Sequence, residues 1–155
     1  MTMFRSSFDI DSAEQLAKKF GLEQYGRAQK ALDNAVIRWS EKYTPWKEGL
    51  LATSPYAASD IGSGEIVYPG PYAHYQYYGE VYGPNIPVFD DDSGDPTGWF
   101  SPPGQQKHPT GRELKYNTDY NPLAGPHWIP RMAADHIDDI VAEVEAVALG
   151  GGKEK

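Results

Sequence analysis

Four histidines and a run of aspartates are the residues of this chain whose chemistry is most easily put to use. His74, His108, His127 and His136 share neither the HxxxH nor the HExxH spacing that sets two imidazoles on one helical face for zinc. Asp90, Asp91, Asp92 and Asp95 have the density of a calcium loop, but a loop started at Asp90 has Gly94 fifth and Ser101 twelfth. An EF-hand loop needs its glycine sixth and a glutamate twelfth, so the acids read as a solvated loop. Gly62-Ser63-Gly64 is shorter than the GxSxG nucleophile elbow and reads as a turn. Neither a GxGxxG nor a GxxxxGK[ST] phosphate loop occurs. The chain has no cysteine, which excludes thiolate nucleophiles, thiolate metal sites and disulfides. None of these patterns singles out an enzyme, a cofactor or a metal site. A carboxylate pair for acid–base work stays open, because any two of the acids can meet in the fold.

One charged cluster stands out positively. Lys107, His108, Arg112 and Lys115 gather within "KHPTGRELK", in a chain of 155 residues whose formal net charge is −8. Such a segment either pairs with its own acids, Asp90 to Asp95 being available, or meets the acidic segment of a neighbouring copy. The second arrangement is a heterologous, head-to-tail contact of the kind that closes into rings. The negative charge argues against a protein that grips nucleic acid, since that affinity comes from neutralising phosphates. It is compatible with a surface that nucleic acid slides past.

Positioning these residues falls to helices at both ends and a loop-rich, strand-bearing middle. Asp11 or Ser12 can cap a first short helix that carries Leu16 and Phe20 and stops at Gly21. A second helix is expected from about Glu23 to Lys42, with Tyr25, Ala28, Leu32, Ala35, Val36, Trp39 and Tyr43 as its apolar stripe. Arg27, Lys30, Asp33, Asn34 and Glu41 fall on its other side, and Pro45 ends it. The last helix starts near Pro126 or Pro130. Its stripe takes in Ile129, Met132, His136, Ile137, Ile140, Val141 and Val144, and Gly150 to Gly152 terminate it. His136 reads as a structural histidine on that stripe, and His127 as part of the corner before the helix. In the middle, Glu65 to Tyr68 is the expected strand, paired through a turn at Gly62 and Gly64 with a strand at Leu51 to Ala58. "RELKY" is a further short strand.

The segment "YPGPYAHYQYYGEVYG", Tyr68 to Gly83, breaks at its prolines into a short helical or irregular corner. Tyr72 and Ala73 are expected under the long helix there, with Gly79 turning the chain away. A long loop or hairpin excursion is expected over 83–121, with Trp99 and Phe100 as aromatic anchors for a neighbour or as a cluster folded back on their own domain. Tails at 1–11 and 150–155 would flank a single domain at 12–149. Met1 to Ile10 lacks an apolar signal region, and no stretch approaches the ~20 apolar residues of a membrane helix.

Three ordered blocks carry a resemblance to a known family. They are "GRAQKALDNAVIRWSEKYTPWKEGLL" from Gly26, "IVYPGPYAHYQYYGE" from Ile66, and "HPTGRELKYNTDYNPLAGPHWIPRMAADH" from His108. The chain resembles the small neck proteins of tailed bacteriophages, variously called minor capsid, head–tail connector or tail-completion proteins. It departs from them at "WKEG", Trp46 to Gly49, and in the length of its excursion, which resembles the minor-capsid branch more. The resemblance implies an α+β fold, with a small, mainly antiparallel sheet flanked by a long N-terminal helix and a C-terminal helix. It implies a structural virion protein that is not an enzyme and needs no cofactor, assembled in the host cytoplasm into a homo-oligomeric ring of about six copies between connector and tail tube. Partners would be other neck, connector and tail-tube proteins, with DNA passing unbound through the lumen and no membrane involved. The expected interface residues are Asp90, Asp91, Asp92, Trp99, Phe100, Lys107, Arg112 and Lys115. The alternatives are a portal-side head-closure protein and, from the wealth of tyrosine and tryptophan, a carbohydrate-binding or hydrolytic module.

Overall fold

The structure, a computed structural model, describes residues 10–46, 48–89, 94 and 96–150. The fold is α+β. Among the described residues five helices, α1 (Ile10–Phe20), α2 (Arg27–Ser40), α3 (Leu50–Ala58), α4 (Pro71–Tyr78) and α5 (Trp128–Gly150), accompany four short strands. The strands are β1 (Glu80–Gly83), β2 (Ile86–Val88), β3 (Gly98–Phe100) and β4 (His108–Glu113). They form two antiparallel pairs, β1 with β4 and β2 with β3, rather than one sheet.

The core lies between α2 and α5. Ala35, Tyr43, Trp128, Met132 and Ile140 are buried together, and Leu32, Val36, Trp39, Ile129 and Val144 pack around them. Apart from Trp128, these positions belong to the apolar stripes that the spacing of three and four residues selects, whereas Ile137 and Val141 of the expected α5 stripe are exposed, at 51 % and 45 %. Tyr25 is an exception: it precedes α2 with φ 62°, is exposed, and gives its hydroxyl to Asp60. The helix is also shorter than expected, because Gly26 is its N-cap and Ser40 its last residue. At the other end of the chain α5 begins at Trp128, with Pro130 in its first turn.

Two expected strands are not strands. Leu51 to Ala58 lies within the helix α3, and Glu65 to Tyr68 is irregular. Leucine and alanine at Leu50, Leu51, Ala52, Ala57 and Ala58 favour a helix, and the obstacle is Pro55, which has no N–H for the carbonyl of Leu51. The hydroxyl of Ser54 supplies the missing donor at 2.8 Å. With a helix at 50–58, the 65–68 segment has no strand beside it to pair with. "RELKY" contributes only Arg112 and Glu113 to β4, and Leu114 to Tyr116 lie beyond the strand.

Asp33 corrects another expectation. It is only 3 % exposed and faces inward, where its carboxylate accepts from the amides of Gly62 at 2.7 Å and Gly64 at 3.2 Å. Gln29 Nε2 donates to its second oxygen at 2.9 Å. A buried carboxylate holding amides of a turn is a satisfied charge, and it pins the α3-to-65 connection onto α2.

Candidate functional site

Two regions of the surface differ from an ordinary solvated exterior: a groove on the helical body and the excursion that leaves it.

The groove encloses ≈ 510 Å³ between α2, α4, the start of α5 and the 66–70 segment, with Val36, Tyr68, His74, Tyr77, Trp128 and Ile129 on its walls. Its floor is a set of edge-to-face rings, with Tyr68 and Tyr77 against Trp128 at 5.2 and 4.8 Å between centroids. Such contacts fix the rings and stiffen the junction. The polar tips of Tyr68, Trp128 and Ser40 are buried beneath, none in a well-directed hydrogen bond. Burial pushes the Tyr68 phenol up, and the nearness of Thr44, Trp128 and Ser40 partly offsets it. Of the six tyrosines in the Tyr68 to Gly83 segment, Tyr72 and Tyr78 are exposed and the rest are partly covered. Ala73 is buried under the body as expected, whereas Tyr72 points out.

The corner before α5 holds this junction in place. Arg131 donates to the carbonyls of Pro126 at 2.8 Å, Leu123 at 2.9 Å and Tyr43 at 3.4 Å. Asn121, buried, donates to the carbonyls of Glu41 and Thr44. His127 adopts φ 49° and its amide donates to Tyr77 at 2.8 Å, so it is the corner residue its flanking sequence suggested. His136 stacks on Trp39 with 4.2 Å between centroids, and its Nδ1 lies 2.9 Å from Asp139. It is a packing residue.

Gly79, in the left-handed conformation at φ 71°, ends α4 and sends the chain into the excursion. A Cβ there would lie 3.0 Å from Pro126 and from the Tyr116 hydroxyl, so only glycine suits both the turn and the space. β1 and β4 form its stem. Thr110 donates to the Val81 carbonyl at 2.6 Å, and the register shifts between Glu80 and Tyr82. Lys107 bridges stem and tip by donating to Asn85 Oδ1 at 2.9 Å. The tip is the β2–β3 hairpin, with Ile86 opposite Phe100 and Pro87 opposite Trp99.

Trp99 and Phe100 are 56 % and 51 % exposed, so they do not fold back onto their own domain. Ile86, Val88 and Phe89 are exposed beside them. These three were not singled out from sequence, although "IPVF" between two loop compositions is an apolar run with no helical or strand partner to explain it. Arg112 and Lys115 are exposed on and just after β4, and neither has an ion-pair partner among the described residues. The structure therefore brings Trp99, Phe100 and Lys107 onto one projection, with Arg112 and Lys115 along its stem. Asp90, Asp91 and Asp92, the acidic part of the expected interface, lie outside the described residues.

Among the described residues no three of histidine, aspartate and glutamate are placed to hold a metal ion, and no helix is long and apolar enough to cross a membrane.

Residues 7–91 match the family model described as minor capsid protein, which is more than half of the chain. The chain belongs to the minor capsid protein family. The match covers α1 to β2, including the Asp33-pinned turn and the aromatic α4, and stops before β3, β4 and α5. No curated protein and no solved structure matches the chain. A minor capsid protein is a structural component of a phage particle, and the geometry of this one agrees in kind. The chain carries a projecting hairpin with exposed apolar residues on a body held by ring packing and backbone capping.

Proposed function

We propose that this minor capsid protein is a wall subunit of the phage neck, forming a ring of about six copies that joins the head-side connector to the tail. The observation that carries the reading is the exposed aromatic hairpin, β2–β3, on a member of this family. A two-stranded hairpin is marginal in water by itself, and apolar side chains on both strands gain stability only when another surface covers them. The helical body supplies the wall, and the hairpin reaches a neighbour. The net charge of −8 suits a passage through which DNA moves without adhering.

The test is a reconstruction of the particle that contains this chain. Density for the α2–α5 body in a ring at the head–tail junction is the expected result. Density on the head-side face of the connector would make it a head-closure protein, and density on the capsid shell would overturn the neck assignment.

A further inference from the structure

The β2–β3 hairpin is apolar on both of its faces. Cross-strand partners share a face, and neighbours along a strand alternate between faces. By the register, Ile86, Phe100 and Val88 stand on one face, and Pro87 and Trp99 stand on the other. All five side chains are exposed. A sheet that rests on one surface keeps its second face polar for water. A layer apolar on both sides needs cover on both sides. The edges offer less. Each strand has three residues and β2 contains Pro87, and short strands and proline are features that blunt a sheet edge. Contact is therefore made through the faces.

The charge of the segment selects the partner. From Pro84 to Gln106 the sequence holds four aspartates, Asp90, Asp91, Asp92 and Asp95, and no lysine, arginine or histidine. That is half of the net charge of −8, carried by the residues that join β2 to β3. The next cation along the chain, Lys107, is engaged with Asn85 Oδ1 at 2.9 Å. A second copy is the wrong occupant, because gathering several such segments concentrates like charge. We infer that the hairpin is a wedge for a two-walled apolar cleft with a basic rim, on a virion protein other than this chain. One wall covers Ile86, Val88 and Phe100, the other covers Pro87 and Trp99, and cations at the rim meet the aspartates. Phe100 and Trp99 give each wall one aromatic anchor. Layers pack about 10 Å apart face to face, so the backbones of the two walls stand roughly 20 Å apart. The inference rests on the reading of the hairpin as the part that reaches a neighbour, and it names that neighbour's chemistry.

The test uses the full-length chain and intact particles that contain it. Hydroxyl-radical footprinting compares the oxidation of Trp99 and Phe100 in the free chain and in the particle. Both rings should be oxidised several-fold more slowly in the particle. Slowing of one ring alone would show a hairpin lying flat on a single surface, and slowing of neither would show a hairpin left in water. Either result overturns the inference. The partner is then identified by Trp99→benzoylphenylalanine and, separately, Phe100→benzoylphenylalanine, each photolysed within the particle. The expected adducts lie on a different virion protein, in apolar segments flanked by lysine or arginine. Adducts that join two copies of this chain, or none from either position, would overturn it.

The charge has its own measurement. Changing Asp90, Asp91, Asp92 and Asp95 together to asparagine should lower incorporation into particles, in competition with wild type, by roughly tenfold, the scale on which interfacial charge acts. Changing the same four to glutamate should restore it. Equal incorporation of all three proteins would overturn the basic rim. A reconstruction that places the chain away from the head–tail junction would overturn the neck reading and leave these outcomes as they stand.

Discussion

Asp33 and Gly62 lie 29 residues apart, and the Gly62 amide donates to the buried Asp33 carboxylate at 2.7 Å. The same oxygen receives Gly64 at 3.2 Å, so one side chain on α2 closes the turn that follows α3. Asp33→Ala should destabilise the fold by about 2–3 kcal/mol, because two amides lose an ionised acceptor in a buried place. Asp33→Asn keeps an oxygen but loses the charge, and should cost about half as much. Urea unfolding followed by tryptophan fluorescence measures both. A loss below about 0.5 kcal/mol for alanine would show that the turn is held by something else.

Arg27 performs a comparable task at the other end of the helix pair. Its Nη2 donates to the carbonyls of Lys19 at 2.6 Å and Ala148 at 2.9 Å, and its Nε to that of Val147 at 3.2 Å. It thus covers the last carbonyls of both α1 and α5, where a cation also suits the helix dipole. Arg27→Met retains an aliphatic stem and removes the donors. Stability should fall by about 1–2 kcal/mol, and amide exchange should speed up in the last turns of α1 and α5. Unchanged exchange in both turns would contradict the capping role.

The pH dependence of stability should bend at two ends of the scale. Burial, together with a 2.6 Å hydrogen bond to Asp135, pushes the Tyr43 phenol up to about 12. The folded state therefore favours the protonated phenol. Its contribution is complete below the ordinary value of 10.0 and is lost as the pH rises from there towards about 12. Tyr43→Phe should remove that alkaline loss. At the acid end, hydrogen bonding from Arg38 lowers the Glu143 carboxyl below 4.5, with a further hydrogen bond from Trp39 Nε1 at 3.0 Å. Stability from that carboxylate is present above 4.5 and disappears as the pH falls through its lowered value. The effect is small, since Glu143 is partly solvated, and Glu143→Gln should flatten it. Melting temperatures across pH 2 to 12 would show both features, and parallel curves for wild type and variants would refute them.

Trp99 and Phe100 should matter little to the fold. Trp99→Ser with Phe100→Ser removes exposed side chains from a hairpin none of whose described residues belongs to the core cluster, so the unfolding free energy should stay within about 1 kcal/mol of wild type. The double variant should be the more soluble protein. A large loss of stability would place the two rings in the folding core and remove the reason for viewing them as an interface.

The long amphipathic elements were legible in sequence because a single period runs through each: α2 and α5 follow from the spacing of Leu32, Ala35, Trp39, Met132 and Ile140. The middle was less so, for specific reasons. Thr53, Tyr56 and Pro55 look like strand and breaker residues, and nothing local announces that the Ser54 hydroxyl will replace the proline's missing donor. Asp33 looks like a solvent-facing charge until the turn it binds is seen beside it, a contact made across 29 residues. Trp99, Phe100, Lys107, Arg112 and Lys115 could be picked out by type. Their placement along one projection depends on the β1–β4 and β2–β3 registers, which short strands barely encode. Ile137 and Val141 fit the core stripe of α5 by spacing, yet they are exposed because α5 buries only one side against α2.

α5 has 23 residues and is about 35 Å long. Its first residue, Trp128, packs on Tyr77 beside the root of the excursion, while Val147 and Ala148 are held by Arg27 at the α1–α2 corner. The molecule therefore has a direction, with its hairpin-bearing end and its capped end separated by the length of one helix. A small tag fused after Gly150 would mark the capped end alone. In any assembly of this chain, such a tag would report as a vector which way every copy points.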